Sequence, residues 1–452
     1  MQPENPYLAG NFAPVDEEVT VADLEVTGRI PTELAGRYVR NGPNPVTRPE
    51  PASYHWFTGD GMVHGIRLDD GAARWYRNRW VRSASVAKAL GEPPRPGPVH
   101  ANMDFAPNTN VIGHAGRTFA IVEAGARPYE LTYDLDTLGP CDFDGTLPGG
   151  YTAHPKRDPA TGELHAISYF WGWGNRVQYT VLDRGGRITR VVDVPTTGQA
   201  CIHDMSLTER YAVIYDLPVV FSMEAAQSGA AFPYRWKPDY PARVGLLPRN
   251  GGADDVRWFH VEPCYVFHPL NAFDEGARVV LDVIRHPKMF ANHTDGPDEG
   301  TPTLERWTLD PASNSVKEER LDDRGQEFPR VDERVVGRNH RYGYTVGAAS
   351  EHDPRRASHQ GCVIKHDFAH HSAEVRYLGR AAEAGEPIFI PRSTDAAEDD
   401  GWVLTLVYDP TRHASDLLIL NAADFRGEPQ AVVHLPRRVP FGFHGNWLPD
   451  QA

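Results

Sequence analysis

The chain has 452 residues, of which 40% are hydrophobic and 24% are charged, an ordinary balance for a globular protein. Lys and Arg together number 46 against 61 Asp and Glu, so the formal net charge is -15. That charge argues against a nucleic-acid-binding protein, which needs a basic face, and against adsorption on anionic lipid.

Short segments rich in β-branched and aromatic residues recur along the whole chain, each bounded by Gly, Pro, Asp or Asn. In chain order the strand candidates are RTFAIVEAG from Arg117, ELHAISYFW from Glu163, RVQYTVLD from Arg176, RYAVIYDLPVVF from Arg210, ARVVLDVIRH from Ala277, GWVLTLVYD from Gly401 and SDLLILN from Ser415. Helical periodicity is scarce, with SASVAKALGE from Ser83 as one short candidate. Strands that do not alternate with helices indicate an all-β sandwich, barrel or propeller.

Among these folds a propeller is the economical choice at this length. Seven four-stranded blades need ~60 residues each, including loops. No composition shift or low-complexity linker divides the chain. We therefore predict a seven-bladed β-propeller that forms a single domain over residues 1–452.

The cysteines and the apolar segments bear on the compartment. The four cysteines form no CxxC pair, and such scattered cysteines fit a reducing cytoplasm; they are Cys141, Cys201, Cys264 and Cys362. No apolar run approaches the ~18 residues of a spanning helix, and the acidic first residues show no leader pattern. We predict a cytoplasmic protein with no transmembrane segment and at most weak peripheral membrane contact.

Four of the 20 histidines lie in distinctive local sequences. They are His154 in TAHPKRDPATGEL, His203 in CIHDMSLTERYAVIYDLP, His268 in YVFHPLNAFDEG and His444 in VPFGFHGNWLP. Their wide spacing excludes a helical metal site such as HExxH. The innermost strands of all propeller blades face one channel, however, so these four side chains can converge there.

These segments resemble those of the carotenoid cleavage oxygenases, and the resemblance runs nearly end to end. Further matching segments are GRYVRNGPNP from Gly36, YHWFTGDGMVHG from Tyr54, NTNVIGHAGRTFAIVEAG from Asn108, GEPIFIPR from Gly385 and EDDGWVLTLVYD from Glu398. The resemblance implies a seven-bladed propeller with short helices and loops forming a dome over an axial metal site. It also implies one Fe(II) per subunit, with dioxygen as co-substrate and with His154, His203, His268 and His444 as the metal ligands.

Carboxylates are expected behind the histidines. Four neutral imidazoles suit Fe(II) but leave the metal its full double charge, and carboxylates offset that charge by accepting the other ring N–H. By resemblance they are Glu123 in AIVEAG, Glu327 in QEFPRV and Glu386 in GEPIFI. Spacing does not reveal which glutamate faces which histidine, and one of the four histidines must find another partner.

The other prominent histidines are interpreted as structural. His165 is close to His154 in sequence, but it follows TGEL, where the family has a variable strand residue. His366 in KHDFAHH mimics the IHD segment of His203 but matches an outer strand of the family. The same interpretation applies to His55, His64, His114, His370 and His371.

The resemblance implies dioxygen-dependent scission of a carbon–carbon double bond into two carbonyl products. No catalytic acid or nucleophile is expected beyond the metal and its carboxylates, because iron activates dioxygen and the pocket positions the alkene. Phe267 and Phe328 match positions that line the tunnel of relatives, and Thr109 matches a threonine near an open iron position. All three also fit ordinary propeller positions.

Two classes of alkene substrate stay open. Stilbene-cleaving relatives carry a lysine immediately before the first of these glutamates, where this chain has Val122. That difference favours a carotenoid or apocarotenoid, with a stilbene or phenylpropenoid as the alternative. A non-enzymatic propeller scaffold and an isomerase are further alternatives, and the oligomeric state is not predicted.

Overall fold

Seven antiparallel sheets surround one axis in the computed structural model, which describes residues 5–297, 299–348, 361–379 and 381–450. The predicted all-β, seven-bladed propeller is confirmed. The extent of a single domain over 1–452 stays a prediction, and it includes residues outside the described part.

The strands of the described residues follow one another at short intervals. The first are β1 (Thr20–Ala22), β2 (Val26–Gly28), β3 (Gly36–Pro43), β4 (Gly61–Asp69), β5 (Ala72–Trp80), β6 (Asn110–His114), β7 (Arg117–Ile121), β8 (Tyr129–Leu131), β9 (Thr137–Pro140), β10 (Lys156–Arg157) and β11 (Leu164–Tyr169). Next come β12 (Arg176–Leu182), β13 (Ile188–Pro195), β14 (Met205–Leu207), β15 (Tyr211–Asp216), β16 (Val219–Phe221), β17 (Tyr234–Trp236), β18 (Arg243–Pro248), β19 (Arg257–His260), β20 (Tyr265–Glu275), β21 (Arg278–His286) and β22 (Thr303–Asp310). The last are β23 (Ser315–Asp322), β24 (Gln326–Arg330), β25 (Tyr342–Gly347), β26 (Cys362–Asp367), β27 (Ser372–Tyr377), β28 (Glu383–Ala384), β29 (Ile388–Pro391), β30 (Gly401–Asp409), β31 (Ala414–Asn421), β32 (Ala431–His434) and β33 (Gly445–Pro449).

Five blades are built from strands that are nearly consecutive in the chain. Their strand orders are β6-β7-β8-β9, β10-β11-β12-β13, β14-β15-β18-β19, β20-β21-β22-β23 and β24-β25-β26-β27. Strands β16 and β17 form a separate two-stranded ribbon. The two remaining blades join both ends of the chain, since β33 pairs with β3 and β2 pairs with β32. This exchange of strands closes the ring.

Burial within the blades explains the sequence patterns. Strand β30, GWVLTLVYD, is buried at every residue except the last, which fits its nearly continuous apolar sequence. The outermost strand β23, SVKEERLD, is mostly exposed and carries charged side chains. The four cysteines are buried and free, so no disulfide holds the blades together.

Helices are few and short among the residues that the structure describes. The predicted helix is α1 (Ala84–Ala89), and the Ser83 hydroxyl caps it by accepting a hydrogen bond from the Val86 N–H at 3.3 Å. The second is α2 (Met223–Gln227), between β16 and β17. The 3-10 helices are Pro6–Leu8, Gly10–Phe12, Trp56–Thr58, Trp171–Trp173, Ala253–Asp255 and Glu333–Val335. Nothing helical in the described part of the chain has the length and apolar character needed to cross a membrane.

Candidate metal centre

The four histidines from separate segments converge at the propeller axis. Each of His154, His203, His268 and His444 offers one ring nitrogen, and these nitrogens all lie within 4.8 Å of one another. The side chains are largely buried, from 4% exposed at His444 to 11% at His203. Within the described residues, no other group of three or more potential metal ligands has this geometry.

Each of the four histidines lies either just before an innermost strand or at a β-bulge within an innermost strand. His154 and His203 shortly precede β10 and β14, and His444 immediately precedes β33. His268 lies within β20, at a register shift that reaches Pro269. A β-bulge re-aims a side chain without ending the strand. Three of the four therefore lie just outside the inner strands that we predicted to carry them, because strand pairing does not constrain the residue that enters a strand.

The ring nitrogens that face one another are Nε2 atoms. Nε2 of His203 lies 3.0 Å from Nε2 of His154 and 3.2 Å from Nε2 of His268. Two imidazole nitrogens that bind one cation at right angles, each at about 2.1 Å, are about 3.0 Å apart. Because Nδ1 of His203 and of His268 faces a carboxylate and carries the proton, their Nε2 atoms present lone pairs. Facing lone pairs repel each other unless a cation lies between them, so this arrangement fits a metal ion.

Three of the four histidines bind a glutamate through the other ring nitrogen. A carboxylate acceptor fixes the Nδ1–H tautomer and leaves Nε2 available to a metal. The Nδ1–O distances are 2.5 Å for His203 and Glu123, 2.6 Å for His268 and Glu327, and 3.0 Å for His444 and Glu386. The structure thus gives the pairing that the spacing of the sequence left open.

His154 is the histidine without a glutamate. Its Nδ1 lies 3.7 Å from Oδ2 of Asp204, which is beyond hydrogen-bond distance. Asp204 instead binds Lys156, whose Nζ lies 2.8 Å from Oδ1, and the Asp204 side chain is only 2% exposed. Asp204 is therefore a fourth carboxylate at the centre, and the sequence analysis did not identify it although it directly follows His203.

Glu327 has two further partners besides His268. His286 Nε2 donates to Oε1 at 2.8 Å, and the Phe328 N–H donates to Oε2 at 2.5 Å. Phe328 has a φ of 52°, a left-handed conformation that is rare for an aromatic residue. It lies at a register shift between Glu327 and Arg330 in β24. The bulge therefore supplies a third donor to the carboxylate at the cost of local backbone strain.

Glu386 is bound by a guanidinium that the sequence analysis also missed. Arg330 Nη1 lies 3.0 Å from Oε2 of Glu386, and the Gly445 N–H donates to the same oxygen at 3.0 Å. Burial raises the pKa of the Glu386 carboxyl, but Arg330 and His444 outweigh burial and lower the pKa to about 2. The carboxylate is therefore charged at neutral pH.

Glu327 and His154 are also in the form that suits a metal, whereas at His203 burial is outweighed by the charge of Glu123, which raises the pKa of the imidazole. Burial opposes ionisation of Glu327, but its two histidine partners hold its pKa below the usual range. Burial, and then the charges of the neighbouring histidines, holds the pKa of His154 well below its ordinary value. A neutral imidazole is the form that binds a metal.

The charges around the histidines match a divalent cation. The three glutamates and Asp204 carry four negative charges, and Arg330 and Lys156 carry two positive charges, so the set is doubly negative. Imidazoles are neutral when they bind a metal, so the four rings would add nothing to that balance. The donor atoms, the nitrogen separations and the charge thus fit Fe(II).

A cavity of about 470 Å3 opens onto three of the four rings, those of His203, His268 and His444. Its wall is largely aromatic and includes Trp56, Phe57, Tyr169, Phe232, Tyr234 and Phe443. Trp56 and Phe57 come from a 3-10 helix, and Phe232 and Tyr234 come from the β16–β17 segment. An apolar cavity with a few convergent polar groups is the usual form of a small-molecule site.

The two phenylalanines predicted for the pocket line this cavity. The Phe328 ring stacks on His268 with centroids 5.4 Å apart and 23° between the ring planes. The Phe267 ring meets His203 edge-on with centroids 5.3 Å apart. Both rings therefore pack against candidate metal ligands as well as against the cavity.

Thr109 and Val122 also lie on the cavity wall. The Thr109 carbonyl accepts a hydrogen bond from the His444 N–H at 3.1 Å, and its hydroxyl donates to Asn108 Oδ1 at 3.0 Å. Thr109 thus helps to place a candidate ligand. Val122 presents an apolar surface next to Glu123.

The histidines interpreted as structural do not join the cluster. His165 Nδ1 lies 2.7 Å from the Tyr179 hydroxyl, and its Nε2 lies 2.9 Å from Arg249 Nη2. Burial lowers the pKa of His165 to about 4, with the charge of Arg249 adding to the effect. The remaining histidines interpreted as structural also lie outside the four-histidine group; they are His55, His64, His114, His366, His370 and His371.

Comparison with known sequences extends the likeness over the whole chain. The family profile described as retinal pigment epithelial membrane protein matches residues 12–449. A carotenoid cleavage oxygenase of Mycobacterium tuberculosis is 49% identical, over 99% of this chain and 98% of that protein. An isoeugenol monooxygenase of Pseudomonas nitroreducens is 32% identical, over 98% of each chain.

Solved structures agree with the fold as a whole. The lignostilbene dioxygenase of Pseudomonas brassicacearum superposes with a TM-score of 0.89 at 30% identity, over 99% of each chain. A variant of the Synechocystis apocarotenoid oxygenase superposes with a TM-score of 0.86 at 29% identity, over 97% of each chain. The chain therefore belongs to the retinal pigment epithelial membrane protein family, that of the carotenoid cleavage oxygenases, which are oxidoreductases that cleave carbon–carbon double bonds.

Proposed function

We propose that this oxygenase is a non-heme, Fe(II)-dependent dioxygenase that cleaves a double bond of a carotenoid or apocarotenoid into two carbonyl products. The proposal rests chiefly on the contact between an aromatic cavity and the carboxylate-bound histidine cluster. The metal would be held by His154, His203, His268 and His444. Bound Fe(II) supplies the activation of dioxygen.

The protein's own residues position the substrate and hold the ligands. Phe267 and Phe328 shape the wall against which a flat polyene packs, and they exclude water from the centre. Glu123, Glu327 and Glu386 keep the proton of each bound imidazole on Nδ1. Addition of dioxygen across an alkene to give two carbonyls consumes and releases no proton, so the ionised state of Glu327 and Glu386 is consistent with this reaction.

The cavity wall supports the carotenoid or apocarotenoid class. Val122 gives no cation beside Glu123 to bind a phenolate oxygen. Relatives of this chain are named for the cleavage of carotenoids and for apocarotenoid oxygenation. The non-enzymatic scaffold considered from the sequence is at odds with membership in a family of oxygenases.

A compact phenylpropenoid or stilbene is the second candidate substrate. A volume of about 470 Å3 lies toward the small end of ligand cavities, which favours a short molecule over a full-length carotenoid. Isoeugenol monooxygenase and lignostilbene dioxygenase are among the relatives.

Product analysis under labelled dioxygen tests the proposal. The Fe(II)-loaded protein is incubated with an apocarotenal, a carotenoid, a hydroxystilbene and isoeugenol under ¹⁸O₂, and both halves of each product are identified by mass spectrometry. We expect labelled carbonyl products from the apocarotenal, no cleavage by His268→Ala, and unchanged cleavage by His165→Ala. Isomerised but uncleaved substrate, or no turnover of any alkene, would contradict the proposal.

A further inference from the structure

Of the four clustered histidines, His154 is the one whose ring is not held by a carboxylate. Its Nδ1 lies 3.7 Å from Oδ2 of Asp204, whereas each of the other three rings binds a glutamate through Nδ1. The backbone N–H of His154 donates to the Thr152 hydroxyl at 3.2 Å. The backbone around His154 therefore has to place this ring with less help from its side chain.

The carbonyl directly before His154 is held by a buried amide. Asn110, the first residue of β6, is 8% exposed and donates from Nδ2 to the Ala153 carbonyl at 2.9 Å. Its Oδ1 accepts from the Val111 N–H at 2.8 Å. A carbonyl can only accept and a backbone N–H can only donate, so these two partners fix the orientation of the amide. Asn110 therefore ties the residue before His154 to β6.

The same amide also ties the His444 segment to β6. Asn446, two residues after His444, donates from Nδ2 to Oδ1 of Asn110 at 2.8 Å. The carbonyl of Thr109, one residue before Asn110, accepts from the His444 N–H at 3.1 Å. Asn110 is thus hydrogen-bonded to the segments of two candidate ligands, those of His154 and His444.

From Asn446 the hydrogen bonds continue to the ring of His444. Asn446 Oδ1 accepts from Arg330 Nη2 at 3.1 Å, and Arg330 Nη1 donates to Glu386 Oε2 at 3.0 Å. Glu386 Oε1 in turn accepts from Nδ1 of His444 at 3.0 Å. Through the amide of β6, an unbroken series of hydrogen bonds therefore joins the backbone beside His154 to the imidazole of His444.

A second buried amide, in the segment GRYVRNGPNP, holds Asn110 in turn. Asn41 is fully buried and donates from Nδ2 to the carbonyls of Asn110 at 3.2 Å and Pro107 at 3.0 Å. Its backbone N–H donates to the His444 carbonyl at 3.0 Å. Two of the segments that resemble the family thus carry asparagines that hold histidine segments in place.

We propose that Asn110 is a positioning residue of the metal centre, which holds the segments of His154 and His444 at the separation that one metal ion requires. The role rests on the proposed function, because it needs a metal at the histidines. An uncharged amide suits this role since it donates to one segment and accepts from the other.

The expected effect of losing this amide is on metal affinity. Ligand atoms have to be held within ~0.5 Å of the productive geometry. Loss of a residue that orients a ligand typically costs ~10–100-fold in affinity. Asn110→Ala should therefore weaken metal binding although Asn110 is not itself a ligand.

Titration of the full-length, metal-depleted protein with Co(II) measures this role without any turnover. Chelator competition gives the affinity, and the visible absorption of the bound Co(II) reports the geometry of its ligands. We expect one site per chain in the wild type. Asn110→Ala should bind Co(II) ~10-fold or more weakly, with an altered visible spectrum.

Asn78 in β5 offers a matched control away from the histidines. Asn78 and Asn110 are both buried, and each side chain makes three hydrogen bonds. Asn78 Nδ2 donates to the Glu17 carbonyl at 2.9 Å, and its Oδ1 accepts from the Val19 N–H at 2.6 Å. Urea unfolding of the metal-free proteins should therefore show comparable losses of stability in Asn78→Ala and Asn110→Ala. Only Asn110→Ala should change the affinity and the spectrum of Co(II).

Two results would overturn the proposal while the metal site stands. One is a Co(II) affinity and spectrum of Asn110→Ala equal to those of the wild type, and the other is an equal loss of affinity in Asn78→Ala. Asn446→Ala breaks the same series of hydrogen bonds at a half-buried residue and replaces Asn110→Ala if that variant does not fold.

The wild-type titration separates this role from the proposed function. A wild-type protein that binds no Co(II) would refute the metal site and the role of Asn110 together. Normal Co(II) binding, weakened in Asn110→Ala, would support the role even if the iron-loaded protein cleaved no alkene, and the proposed reaction alone would then fail.

Discussion

Removal of the Glu327 carboxylate should weaken metal binding more than removal of the Glu123 carboxylate. Glu327 accepts hydrogen bonds from His268, from His286 and from the Phe328 N–H. Glu123 accepts one hydrogen bond, from His203, and its other oxygen is buried without a partner. The two carboxylates therefore form a matched pair that differs in the number of donors they satisfy.

The expected loss of metal affinity follows from the number of hydrogen-bond donors that each carboxylate satisfies. Each buried donor left without an acceptor costs ~1–3 kcal/mol, and loss of a carboxylate behind a ligand histidine typically costs ~10–100-fold in metal affinity. Glu327→Ala leaves three donors unpaired and should lie at the upper end of that range. Glu123→Ala leaves one and should lie at the lower end. Glu327→Gln should be milder than Glu327→Ala, because an amide oxygen can still accept from His268.

Chelator competition with Co(II) or Fe(II) measures the metal affinity of each variant, and urea unfolding of the metal-free proteins measures stability separately. We expect Glu327→Ala to lose more in both measurements than Glu123→Ala does. Equal losses, or a larger loss in Glu123→Ala, would contradict the argument from donor number.

Three further expectations concern stability and the substrate cavity. Burial holds the pKa of His165 at about 4, below the ~6.5 of an unfolded chain, so the unfolded state takes up the proton first as the pH falls. The stability that neutral His165 contributes is thus fully present above pH ~6.5 and is lost as the pH falls to about 4. Between pH 7 and pH 5 the unfolding free energy, measured in urea titrations, should therefore fall by about 2 kcal/mol less in His165→Gln than in the wild type, with metal content unchanged. Val122→Lys places a cation on the cavity wall beside Glu123 and should raise kcat/KM for a hydroxystilbene relative to an apocarotenal, and no change in this ratio would show that Val122 does not select the substrate. Phe328→Gly relieves the left-handed backbone but removes a buried ring that packs on His268. KM for the alkene should therefore rise, and stability should fall by less than the ~3–5 kcal/mol typical of losing a buried Phe ring; an unchanged KM would contradict this role.

The sequence predicts the propeller because strand-forming segments recur without helices, and it predicts the four histidines because their local sequences resemble one family throughout. It does not predict the pairing of histidines and glutamates. Glu123 follows β7 in one blade, whereas its partner His203 precedes β14 in another, so only the closed ring brings them together.

His286 and Arg330 were missed for a related reason. His286 is opposite Tyr265 in the β20–β21 ladder, and two register shifts lie between this pair and the hairpin turn. The strand register counted from the hairpin turn therefore does not predict that His286 contacts Glu327. Arg330 was hidden because charged residues near strand ends are mostly solvated, and only the bulge after Glu327 turns its guanidinium toward Glu386.

The central claim is that His154, His203, His268 and His444 together hold one iron. An anomalous difference map, recorded at the iron absorption edge from crystals of the Fe(II)-loaded protein, tests it most directly. We expect one strong peak per chain, about 2.1 Å from the Nε2 atom of each of the four rings, and loss of that peak in His268→Ala but not in His165→Ala. A peak elsewhere, or a peak from which any of the four rings points away, would contradict the account.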